Sequence, residues 1–146
     1  NGPMTGTDIG RRGALVGIIA SLLAACGVGG RSDVGAVQDA LRSEVEALPE
    51  HLDGQVQFQD TTNAGTTISG VLTLAGDDRE QVEQSLLTVL EAVVRTYREQ
   101  PDVRTAYVRL EGHPDGDRAT RVVADVVAPS SGANITTDDL ATHFGL

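Results

Sequence analysis

Between Ser32 and Pro49 the chain repeats Val34, Val37, Leu41, Val45 and Leu48 at intervals of three and four residues, the spacing that gathers apolar side chains into one stripe of an α-helix. Ser32 or Asp33 can cap its start, Pro49 stops it, and Asp39, Arg42, Glu44 and Glu46 take the opposite side. A second stripe runs through Val82, Leu86, Val89, Leu90, Val93 and Tyr97, widened by Leu87 and Val94. It opens at Asp77-Asp78, with Glu80 or Gln81 placed for a capping box, and closes at Gln100-Pro101.

Elsewhere the period drops to two, the mark of a half-buried strand. Gln55 to Gln59 sets Val56 and Phe58 on one face. Thr67 to Leu74 alternates Ile68, Gly70, Leu72 and Leu74 against Thr67, Ser69, Val71 and Thr73. The intervening Thr61-Thr62-Asn63-Ala64-Gly65 reads as a turn. A second pair, Val103 to Glu111 and Thr120 to Ala128, flanks the turn-forming His113-Pro114-Asp115-Gly116-Asp117. Pro129-Ser130-Ser131-Gly132 ends that pair, and a short helix starting at Thr136 or Thr137 runs to Gly145. The order is αββαββ plus a short α, with an internal structural repeat expected although the halves are not alike in sequence. Tight hairpins between strands favour a four-stranded antiparallel sheet with both long helices on one face, an α+β sandwich of two layers.

The first thirty residues follow another logic. Arg11-Arg12 precedes the uncharged run Gly13 to Ala25, well short of the ~20 residues needed to span a bilayer, and small residues follow. Leu23-Ala24-Ala25-Cys26 resembles the lipobox of bacterial lipoproteins, with Leu23 three positions before the cysteine and small residues between. The resemblance covers Met4 to Gly27 only. It implies a diacylglyceryl group on the Cys26 thiol, cleavage after Ala25, and often acylation of the new amino terminus. Two or three acyl chains, at ~0.8 kcal/mol per buried methylene, hold a small domain firmly on a membrane.

By the residues alone, Cys26 also fits a small buried hydrophobe or part of an uncleaved anchor. Arg11-Arg12 is compatible with export by the general or the twin-arginine route. The domain reading is residues 1–3 as a remnant or upstream extension, 4–25 as signal peptide, 26–32 as tether and 33–146 as one α+β domain. The expected place is the outer face of the cytoplasmic membrane, lipid-anchored and extracytoplasmic.

Composition narrows the partners. The formal net charge is −10, all 11 basic residues are arginine, and the aromatic set is two Phe, two Tyr and no Trp. An acidic surface with few stacking rings excludes nucleic acid. The all-arginine bias, with abundant Gly, Ala, Val and Asp, is that of a GC-rich genome such as an actinobacterium's or a halophile's. With Cys26 the only cysteine, no intrachain disulfide is available and the core alone must hold the domain.

No residue set reads as catalytic. His51, His113 and His143 are dispersed and lack metal-ligand spacing, so no metal or cofactor is expected. The D-x-D of His113 to Arg118 lacks the remaining calcium ligands and reads as a turn. Pro129 to Gly132 lacks the pattern of a nucleophile elbow. Asp77-Asp78 and Asp138-Asp139 stand where helices begin and suit the helix dipole.

The sheet face turned away from the helices is the better candidate. It carries Gln55, Gln57, Gln59, Thr67, Ser69, Thr73, Thr105, Tyr107 and Arg109, with Gln57, Gln59, Thr73, Tyr107 and Arg109 as the candidate binding set. The expected function is a non-enzymatic envelope module that binds a protein or a cell-wall component. The alternative is a hydrolase or enzyme subunit acting on cell-wall glycan through dispersed carboxylates such as Glu111 and Asp125.

Overall fold

The helix signals resolve at their caps. The structure, a computed structural model, describes residues 32–63, 65–128, 132 and 134–146. The segments read as signal peptide and as most of the tether, with Cys26, lie outside the described residues. Asp33 caps α1 (Val34–Glu46) by accepting the Ala36 N–H, and the helix buries Val37, Leu41 and Val45. Asp78 caps α2 (Arg79–Arg98) by accepting from Gln81, whose own side chain reaches back to the Asp77 N–H. The sequence-read stripe of α2, Val82, Leu86, Val89, Leu90, Val93 and Tyr97, is buried with Val94, while Leu87 is only half-buried.

Between and after these helices stand β1 (His51–Asp53), β2 (Gln57–Thr61), β3 (Gly65–Leu74), β4 (Tyr107–His113) and β5 (Val122–Val123), then α3 (Ala124–Val127) and α4 (Thr137–Phe144). Thr136 caps α4 through a reciprocal capping box with Asp139, and Gly145 ends it in a left-handed conformation.

One sheet holds all five strands. β1 and β2 lie end to end along one side of β3, both antiparallel to it. β4 runs along the other side, parallel, with Thr67 to Thr73 opposite Tyr107 to His113. β5 pairs antiparallel with Glu111 and Gly112. Inward side chains of the sheet, among them Val56, Phe58, Ile68, Leu72, Val108 and Leu110, share one core with α1 and α2.

The expected four-stranded antiparallel sheet is thus corrected to five strands with one parallel pair. α2 explains the parallel pair. Its 20 residues extend ~30 Å at 1.5 Å per residue, close to the ~33 Å of the 10-residue β3, so it returns the chain to the end where β3 began. A strand started there must run the same way as β3.

The expected fourth strand, Thr120 to Ala128, is corrected as well: only Val122 and Val123 pair, and the chain then turns into α3. Continuing the strand would bring residues 126 and 127 opposite Val108 and Tyr107. That stretch of β4 is already taken, because Val108 donates to the Ile135 carbonyl at 3.0 Å and Tyr107 bridges Thr136.

Both outer edges of the sheet are therefore broken into short pieces, which denies a foreign strand a long template. The β1/β2 edge breaks at Gly54, where φ is +93° and a Cβ would sit 2.4 Å from the Val71 carbonyl oxygen. Beyond the break, α1 closes the free side: Gln38 accepts the Phe58 N–H at 3.1 Å, and Arg42 donates to the Val56 carbonyl at 2.8 Å.

Two outcomes follow from this packing. Gly70→Ala would place a methyl 2.6 Å from the Gln55 carbonyl oxygen, and overpacking of this kind costs about 1–3 kcal/mol, so thermal melting should fall by several degrees. An unchanged melting temperature would show that the edge yields freely. Removing both closing side chains, Gln38→Ala with Arg42→Ala, should lower stability by about 1–3 kcal/mol and produce concentration-dependent self-association in sedimentation; a monomer of unchanged stability would contradict the edge-closing role.

Candidate functional site: the outer sheet face

Strand register sorts the outward residues into rows. Gln59, Thr67 and Tyr107 form one row across β2, β3 and β4, and Gln57, Ser69 and Arg109 form the next. Four of the five sequence-chosen residues, Gln57, Gln59, Tyr107 and Arg109, therefore meet on one patch. Thr73 does not join them. It shares the face but stands four residues beyond Ser69, ~13 Å along β3, in a row with Asp53 and His113.

The patch is polar and almost uncharged. Along the outward positions of β2, β3 and β4, Arg109 and Glu111 are the only arginine or acid. Glu111 is held by Arg121 at 3.4 Å, whereas Arg109 is exposed and forms no ion pair among the described residues. Tyr107 shows 44% of its surface and Val71, two positions beyond Ser69, shows 50%, so the face also offers two modest apolar contacts. The helix layer carries the opposite character. In α1 and its flanks Asp33, Asp39, Glu44, Glu46 and Glu50 stand against Arg42 alone.

The broken edges shape this face. The gap between β1 and β2 opens a depression of ≈ 620 Å³ lined by Gly54, Gln55, Gln57, Ser69, Gly70, Val71 and Arg109. On the far side of β4, the gap between β5 and Ile135 opens a second one of ≈ 320 Å³, which Arg109, Glu111, Asp125 and Asn134 border. Both lie at the level of Ser69 to Val71 and Arg109 to Glu111, and Arg109 lines both.

Sequence reasoning missed these two notches. Gly54 was the one local signal for the first; the second depends on Asn134 and Ile135, which follow a stretch read as a linker.

The other chemical candidates resolve locally. Thr73 and Leu74, neighbours in β3, have His113 and His51 as their respective cross-strand partners, so these two histidines flank the end of β3. Each ring bonds a nearby carbonyl: His51 Nε2 donates to the Gly54 carbonyl at 2.7 Å and His113 Nδ1 to the Pro114 carbonyl at 2.8 Å. Among the described residues no group of three or more His, Cys, Asp or Glu is placed to hold a metal ion.

In the turn after β4, Asp117 accepts from the Thr120 hydroxyl and from the Ala119 and Thr120 amides. The Thr120 hydroxyl bond above all holds its carboxyl below the usual carboxylate range. Glu111 and Asp125 do border one notch, as the hydrolytic alternative needs, but Glu111 is bound to Arg121 and Asp125 is exposed.

A polar cluster sits at the other end of the molecule. Asp60 is buried and accepts the Ser32 hydroxyl at 2.8 Å and the Thr66 hydroxyl at 3.2 Å, tying the first described residue to the β2–β3 hairpin. Tyr97, 2% exposed, donates to the Arg104 carbonyl at 2.5 Å. Burial, with the negative charge of Asp60 adding to it, pushes the Tyr97 phenol up to about 12.

Because the folded value lies above the unfolded value of ~10, Tyr97 supports the fold fully below pH 10 and loses that support as pH rises toward 12. Tyr97→Phe should flatten the loss of stability in this window, measured by denaturant unfolding at pH 9 to 12. An identical alkaline decline in the variant would contradict the assignment. No protein family, curated protein or solved structure matches the chain.

Proposed function

We propose that this chain is a small non-enzymatic lipoprotein, anchored through Cys26 on the outer face of the cytoplasmic membrane, whose outer sheet face binds an envelope protein or a cell-wall component. The anchoring half rests on the lipobox-like Leu23-Ala24-Ala25-Cys26 behind an arginine pair and an apolar run. Among the described residues no helix is long and apolar enough to cross a membrane. About five residues separate Cys26 from Ser32, a reach of at most ~18 Å, so the domain would ride close to the bilayer.

One observation supports the binding half: a flat, hydrogen-bonding sheet face, set between two notches, with a guanidinium at its centre that forms no ion pair among the described residues. Stability does not require that face to be polar in this pattern, since the core lies wholly on its other side.

Intact-mass spectrometry of protein recovered from host membranes should give a chain beginning at Cys26 with added diacylglycerol, and Cys26→Ala should lose that mass. An unmodified chain retaining Met4 would overturn the localisation. The purified protein should also be retained by envelope extracts, and Tyr107→Asp should weaken that retention at least fivefold, whereas no retained component would count against the binding role.

A further inference from the structure

The two notches and Arg109 form a single path. The break between β1 and β2 and the break between β5 and Ile135 lie opposite one another across β3 and β4, at the level of Ser69, Val71, Arg109 and Glu111. Arg109 borders both depressions and is the one residue they share. The path crosses the strands rather than following them, and three interstrand spacings give it a span of roughly 14 Å, the length of a few pyranose rings.

Resting on the binding role proposed above, we infer that this trough takes a linear glycan carrying an occasional carboxylate, with the carboxylate on Arg109. The floor offers what sugars use. Gln55, Gln57 and Asn134 present amides, Ser69 a hydroxyl, and Glu111 and Asp125 present carboxylates that accept from hydroxyl or amide N–H groups. Tyr107, one row away, supplies an exposed ring for the apolar face of a pyranose.

Of the two arginines beside the trough, Arg121 is paired with Glu111 while Arg109 forms no ion pair among the described residues, and its planar fork matches a carboxylate in two parallel hydrogen bonds. At one end Asp125 is exposed and Glu111 is offset only by Arg121, so with Arg109 the one free cation-bearing group on the trough among the described residues, the carboxylates it takes are spaced, one among neutral rings.

A peptide partner fits less well. Adding a strand needs an open edge, and α1 closes β2 through Gln38 and Arg42 while β5 and Ile135–Thr136 divide the other edge. Side-chain capture needs apolar pockets, and along the trough only Val71 is an exposed apolar side chain.

The test titrates the isotope-labelled full chain with two soluble tetrasaccharides and follows backbone amides by NMR. One alternates N-acetylglucosamine with N-acetylmuramic acid and carries carboxylates; the other is tetra-N-acetylchitotetraose, which has none. The first should shift the amides of Ser69 to Val71 and Arg109 to Glu111 and saturate. The second should bind at least tenfold more weakly, and Arg109→Gln should abolish that difference while keeping a folded spectrum.

Equal binding of both sugars, or shifts confined to the helix layer, would overturn the inference. Should neither sugar bind while an envelope protein is retained in an Arg109-dependent way, the glycan is wrong and the binding role stands. If nothing is retained at all, the binding role itself fails.

Discussion

The buried seam between α2 and the inner face of the sheet constrains where every other element can lie. Leu86, Val89, Leu90 and Val93 share one core with Ile68, Leu72, Val108 and Leu110, and substituting one of these leucines by alanine typically costs 2–5 kcal/mol. Because α2 is about as long as β3, it forces β4 to begin beside the start of β3 and run parallel to it. The two central strands are then fixed, and the remaining chain can add only at the edges. There it does so in fragments: β1 with β2 on one side, β5 with Ile135–Thr136 on the other.

That arrangement separates the two layers chemically. The helix layer buries the apolar stripes and turns its acidic residues to solvent. The sheet's outer face carries amides, hydroxyls and a guanidinium that the packing does not use. The interruptions that protect the edges from foreign strands also carve the two notches, so edge protection and surface shape have one cause.

How much of this the sequence carried differs by element. Local signals were legible: at each helix start one of the two adjacent residues the sequence offered, Asp33, Asp78 and Thr136, is the cap, and the strand parity of Phe58, Leu72 and Val108 put Gln57, Gln59, Tyr107 and Arg109 together on the opposite face. Pairing was not legible, because alternation in β3 and β4 is the same whether they run parallel or antiparallel.

The stretch from Val122 to Val127 is rich in β-branched residues, yet its pairing site on β4 is occupied by a segment some ten residues further on, and that competition overrides local preference. The notches were hidden for a similar reason. They are made by where strands stop, and only Gly54 marks such a point in the sequence.

The proposed working surface is the outer sheet face, not the helix layer. Arginine-selective labelling with a dicarbonyl reagent, read by peptide mass spectrometry, tests it directly when protein in intact envelopes is compared with purified protein. Arg109 should react readily in the purified protein and be protected in the envelope, while the helix-layer Arg95 and Arg98 react equally in both. Equal reactivity of Arg109 in the two preparations, with protection falling on α2 instead, would contradict the account.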